Sequence, residues 1–205
     1  MSELSVPWLR SGTGSTPAEG GCILQVIDWI DRNQWTDRPV CVHPAIAKVA
    51  IRANDTLPDG ERQKLLDLAP RIMGTSCTGG DKKLSVQLAV FCARQVLHLW
   101  EDKHPTDMRP RKSIEAAEAW IENPTEENRQ KALEARKDAA DAADAAAYAA
   151  AYAYAADAAA ADAKGQAVYS LLVSLLDEYD RLTGRGSVEA VDLTPAAVAM
   201  AGGLV

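Results

Sequence analysis

Apolar residues recur along most of this chain at intervals of three and four. No segment alternates convincingly between apolar and polar over five or more positions. That pattern predicts helices and no sheet. Ile23, Val26, Ile27 and Ile30 mark a helix over Cys22–Asn33, with Trp29 and Trp35 flanking the turn that follows. Pro39–His43 is a connector. His43-Pro44 opens a second helix, with proline at its first position and Ile46, Val49, Ala50 and Ala53 on its apolar face. Asn54-Asp55 ends it. Pro58-Asp59-Gly60 turns into a helix carrying Leu65, Leu66 and Leu68, stopped near Pro70.

The next helix is expected from about Asp81 to Asp102. Its buried face is Leu84, Leu88, Phe91, Cys92, Val96 and Leu99, and His104-Pro105 ends it. Asp107–Lys112 leads into a helix with Ile114, Ala117 and Ile121 inward and Trp120 near that face. Asn123-Pro124-Thr125-Glu126 reads as a helix start with Asn123 as the cap. The strongest amphipathic stripe comes late: Val168, Leu171, Leu172, Leu175, Leu176, Tyr179 and Leu182, closed by Gly184. Thr194-Pro195 starts one short helix in the tail.

Between these lies Ala132–Ala163, in which 20 of 32 residues are alanine and none is Gly or Pro. Alanine loses no side-chain entropy in a helix, so this stretch predicts one long helix or two end to end. One helix would span roughly 48 Å, with a bend expected at Lys164-Gly165. Glu134, Asp138, Asp141, Asp144, Tyr148 and Tyr152 fall on one side. Ala139, Ala142, Ala143, Ala146, Ala150 and Ala153 fall on the other, where a neighbouring helix can approach closely. The expected fold is all-α: roughly eight antiparallel helices around the alanine-rich one. Residues 1–21, rich in Ser, Gly, Thr and Pro, read as a flexible arm on which Trp8 docks. Residues 22–184 read as one helical domain, and 185–205 as a tail.

Composition narrows the function classes. Apolar residues make up 47% of the 205, enough for a core, but aromatics only 5%. Ala, Leu, Ile and Val must therefore fill it, with the tryptophans as anchors. A net charge of −7 argues against general binding to nucleic acid or anionic membrane. Cys22, Cys41, Cys77 and Cys92 are scattered, form no CxxC pair and stand at no zinc spacing with His43, His98 or His104. They read as reduced thiols. The N-terminus lacks the pattern of a signal peptide, and no run is apolar enough to span a membrane. A cytoplasmic protein is expected. Gly74–Gly80 (GTSCTGG) fails as a phosphate loop, because Gly79 is followed by Gly80-Asp81-Lys82 and no strand precedes it.

The residues from Ser85 to about Ala163 carry a resemblance. Cys92-Ala93-Arg94, His98-Leu99-Trp100, Arg109-Pro110-Arg111, Ile114–Trp120 and then the alanine tract resemble the alanine-rich, Imm-5-like immunity proteins of actinobacteria and their phages. The resemblance implies a protein that neutralises a toxin or acts in conflict between bacteria, or between phage and host. It implies no catalytic residues.

Candidate binding residues follow from charge and spacing. Arg109, Arg111 and Lys112 surround Pro110 at the start of a helix, where cations oppose the helix dipole. Either acids such as Asp138 or Asp141 offset them, or they form an anion pocket with Arg forks and free helix N–H groups. Arg94 and His98 share one helix edge and either border the core or meet a ligand. His43 reads as a cap. Asp141, Asp144, Tyr148 and Tyr152 form an acidic, aromatic side. Tyr154 and Asp157 break that division, and Asp157 calls for a partner such as Arg94 or Arg52. No nucleophile elbow or metal-ligand spacing is present, so no cofactor, metal or catalysis is expected.

The reading these residues favour is a non-enzymatic binding protein that occupies and neutralises a toxin or defence protein, in immunity or counter-defence. Its rival is sequestration of a small anionic ligand, such as a nucleotide signal, between the helices. Either is compatible with a homo-oligomer.

Overall fold

A computed structural model describes residues 7–76, 81–138 and 159–186. Among them every extended element is a helix, and the one β-feature is an isolated parallel bridge between Leu9 and Gly21. The helices are α1 (Ile23–Arg32), α2 (Pro44–Thr56), α3 (Asp59–Arg62), α4 (Leu65–Ile72), α5 (Lys82–Glu101), α6 (Arg109–Glu122), α7 (126–138) and α8 (Ala159–Thr183). The all-α expectation holds. Most of the alanine tract, residues 139–158, lies outside the described residues, as does the tail from 187 onward. The chain forms two compact units, one of residues 1–79 with 159–205, the other of 80–158. A single domain over 22–184 was expected.

In the first unit, α8 packs chiefly on α2. Leu172, Leu175 and Leu176 are fully buried and Tyr179 nearly so, as the late stripe predicts. Lys164-Gly165, where a bend was expected, lies within α8, which continues as helix through both residues. Gly165 serves close packing instead: a Cβ there would lie 2.8 Å from the Thr56 carbonyl oxygen and 3.1 Å from the Leu57 Cα. Ile46, Ala50 and Ala53 are buried on α2. His43 caps α2, accepting the Ala45 N–H at Nδ1 (3.1 Å), as its place before Pro44 predicts. At the other end buried Arg62 donates to the Asn54 and Leu57 carbonyls (2.6 Å each), filling acceptors that a helix C-terminus leaves open. α2 also runs past Asn54-Asp55 to Thr56. Asn54 is buried in it, accepting from the Ile23 N–H (3.1 Å) and donating to the Arg10 carbonyl (2.8 Å).

Residues 7–21 are not a free arm. Leu9 is fully buried, and the Gln63 side chain clamps its backbone in both directions (3.1 and 2.7 Å). Gln25 does the same for Gly14 (2.9 Å each way), whose carbonyl also receives the Trp35 indole N–H (2.8 Å). Trp8, expected to dock, is 61% exposed; its neighbour Leu9 makes the contact. The polar composition misled because the polar side chains that fix this loop stand elsewhere in the chain.

Pro70 does not stop its helix. α4 continues to Ile72, and the turn before it carries tighter i→i+3 bonds, Leu66 N–H to Gln63 (3.0 Å) and Asp67 N–H to Lys64 (3.2 Å). Arg71 pairs with Asp177 (2.7 Å) and Asp180 (2.9 Å), and Arg185 donates to Asp180 (2.6 Å) and to the Arg71 carbonyl (2.8 Å). Two arginines thus fasten the end of α4 to the end of α8.

In the second unit, α5 and α6 pack together. Asp81 caps α5 through the Leu84 N–H (3.0 Å). Leu84, Leu88, Leu97 and Ile114 are buried. Val96, expected inside, is 44% exposed, and Leu97 takes the inward position instead. The start of α7 also differs from expectation. Thr125 is its cap, accepting the Asn128 N–H (3.2 Å), and Asn123 belongs to the end of α6. The Asn128 side chain ties the two helices by donating to the Asn123 carbonyl (2.9 Å).

Candidate functional site

Five of the residues singled out by sequence stand on α5 and α6: Arg94, His98, Arg109, Arg111 and Lys112. The others, Asp141, Asp144, Tyr148, Tyr152, Tyr154 and Asp157, lie outside the described residues.

Arg94 and Glu101 are seven residues apart on α5, and Arg111 and Glu118 are seven apart on α6. Seven residues are nearly two turns, so each pair shares one edge of its helix. Arg94 forks onto Glu118 (2.9 and 2.6 Å), and Arg111 forks onto Glu101 (2.7 and 2.8 Å). Partner numbers fall on one helix as they rise on the other, so the hairpin is antiparallel. Each arginine presents two parallel N–H groups to both oxygens of its carboxylate, the strongest geometry for such a pair. The Glu118 carboxyl is held below its ordinary range by the Arg94 hydrogen bonds, which outweigh its partial burial.

The turn before α6 is similar. Arg109 forks onto Asp107 (2.9 Å twice), and Asp107 also accepts the Arg109 backbone N–H (3.1 Å). These bonds hold the Asp107 carboxyl down at about 2. The acid needed to offset cations at a helix N-terminus is therefore Asp107, two residues before Arg109, and for Arg111 it is Glu101. It is not Asp138, which is exposed on α7. Arg94, offered as a partner for Asp157, instead holds Glu118. His98 lies between Arg94 and Glu101 on the exposed side of α5, and Lys112 is exposed on α6.

Sequence reading found the arginines but missed Glu101, Asp107 and Glu118. The signal was present: Arg-x6-Glu occurs twice, at Arg94…Glu101 and Arg111…Glu118. Among the described residues no cluster of His, Cys, Asp or Glu could hold a metal ion. No helix among them is long and apolar enough to cross a membrane. Cys22 is buried and Cys41 and Cys92 are half-buried, all free thiols. Burial, with the thiol's hydrogen bond to the Asp31 carboxylate second, pushes Cys41 up to about 11.

Residues 76–176 match the family model described as Imm-5 like putative immunity protein. This part of the chain belongs to the Imm-5-like family. The match takes in all of α5, α6 and α7 and most of α8, and it begins after α4. No curated protein and no solved structure matches the chain.

Proposed function

We propose that this Imm-5-like protein acts without catalysis, in the cytoplasm, by binding and neutralising a partner protein of a bacterial or phage conflict system. The observation that carries the reading is the family match over residues 76–176, a family described by immunity. Supporting it, the described residues of that region carry surface charge held in ion pairs. Asp141, Asp144, Tyr148 and Tyr152, which helical spacing in the sequence would bring to one side, are the residues proposed to meet a basic toxin, because opposite potentials speed encounter and fix register.

The rival reading, an anionic ligand held by Arg109, Arg111 and Tyr148, draws less support. The forks of both arginines are engaged by carboxylates that an anion would have to displace.

The test is co-expression with the product of each adjacent reading frame that arrests growth when expressed alone. The protein should restore growth and elute with that product as one complex. Changing Asp141 and Asp144 to Lys should abolish both effects. Restored growth without a complex, or a complex indifferent to both changes, contradicts the reading.

A further inference from the structure

The α5–α6 hairpin has two unlike flanks. Arg94, Glu101, Arg111 and Glu118 close one with paired charge. At 100° per residue Ala93, Val96, Leu97 and Trp100 fall together on the other side of α5, and Pro110, Ser113 and Ile114 answer them from α6. These seven residues line an open groove with a volume of about 300 Å³. None carries a charge, and Ser113 alone brings a hydroxyl. Val96 is 44% exposed on this flank, and Met108, beside the start of α6, is 43% exposed.

Volume and lining together define what fits. Sites for small molecules begin at roughly this size and are mostly apolar with a few polar groups. An ion here would lose its hydration with no charged residue in the lining to replace it, and Arg94 and Arg111 are engaged by their glutamates on the other flank. We infer that the groove between α5 and α6 is a binding site for a small, uncharged, largely apolar molecule of single-ring size, with the Ser113 hydroxyl in its lining as a polar handle. The site stands apart from partner neutralisation and does not depend on it.

The probe is p-cresol, with p-toluate as its anionic counterpart of similar shape. The reporters are the methyl groups of Val96, Leu97 and Ile114 and the indole N–H of Trp100, which is buried and has no hydrogen-bond partner among the described residues. In the full-length protein at pH 7, p-cresol should shift these signals saturably and show cross-relaxation to the three methyl-bearing residues. It should bind at least about tenfold tighter than p-toluate. Ala93→Phe fills the groove and should weaken binding by about tenfold or more, and Ser113→Leu is a second filler at the rim. The wild-type measurement decides even if both variants unfold. No saturable shift up to the solubility limit, contacts only to other residues, or equal affinity for p-toluate overturns the inference.

Discussion

Gly165 shows how one residue sets a helix contact. Alanine would favour the helix itself by about 1 kcal/mol. Its Cβ, however, would press on backbone, 2.8 Å from the Thr56 oxygen and 3.1 Å from the Leu57 Cα, which cannot rotate aside. Overpacking of this kind costs about 1–3 kcal/mol. Gly165→Ala should therefore lower the melting temperature by several degrees. A rise would mean that α8 does not approach α2 this closely. Arg62→Met should be worse, because the buried carbonyls of Asn54 and Leu57 lose their donor, at about 2–3 kcal/mol in chemical denaturation. Neither role could be read from sequence. Gly165 read as a place for a helix bend, and Arg62 carried no reading at all, because both roles depend on what the chain brings opposite them. His43 was legible because a cap is defined by its own neighbours, Pro44 and Ala45.

At the scale of elements, two arginine forks hold α5 against α6. The Arg94–Glu118 pair is about one-third exposed, so its contribution is of order 0.2–1 kcal/mol. Arg94→Glu should cost about that much, and Arg94→Glu combined with Glu118→Arg should recover most of it, as urea titration would show. Acid tests the same contacts. Glu118 and Asp107 have folded pKa values lowered from 4.5 and 3.8, the latter to about 2. Their stabilisation is complete above about pH 4.5 and is lost as pH falls toward 2. Thermal melts should show stability falling over that window, less steeply in an Arg94→Glu variant. Helix positions were largely legible, since a 3.6-residue period needs only local sequence. Partner choice was not. The basic turn called for an acid, and among the described residues Asp107 and Glu101, close by in sequence, answer it. Val96 and Leu97 exchanged places for a related reason. An apolar residue beside the seam reads the same in sequence as one within it.

For the whole molecule, the Imm-5-like match and the folded units do not coincide. Residues 76–176 span the described part of the second unit and run on into α8, while residues 7–72 build the rest of the first unit around α2 and α8. The fold class and the family were legible, because helical periodicity and short motifs such as Cys92-Ala93-Arg94 are local. The two-unit division was not, because α8 returns to pack on α2 across more than a hundred residues. The docking of residues 7–21 escaped for the same reason.

The central claim is that the Imm-5-like region occupies a partner protein without altering it chemically. Hydrogen exchange of the complex with whichever growth-arresting product the protein neutralises in co-expression, followed by intact mass of that product, tests both halves together. Slowed exchange should fall within residues 76–176, and the partner's mass should be unchanged. Slowed exchange confined to residues 7–72, or a covalent change in the partner, would contradict the account.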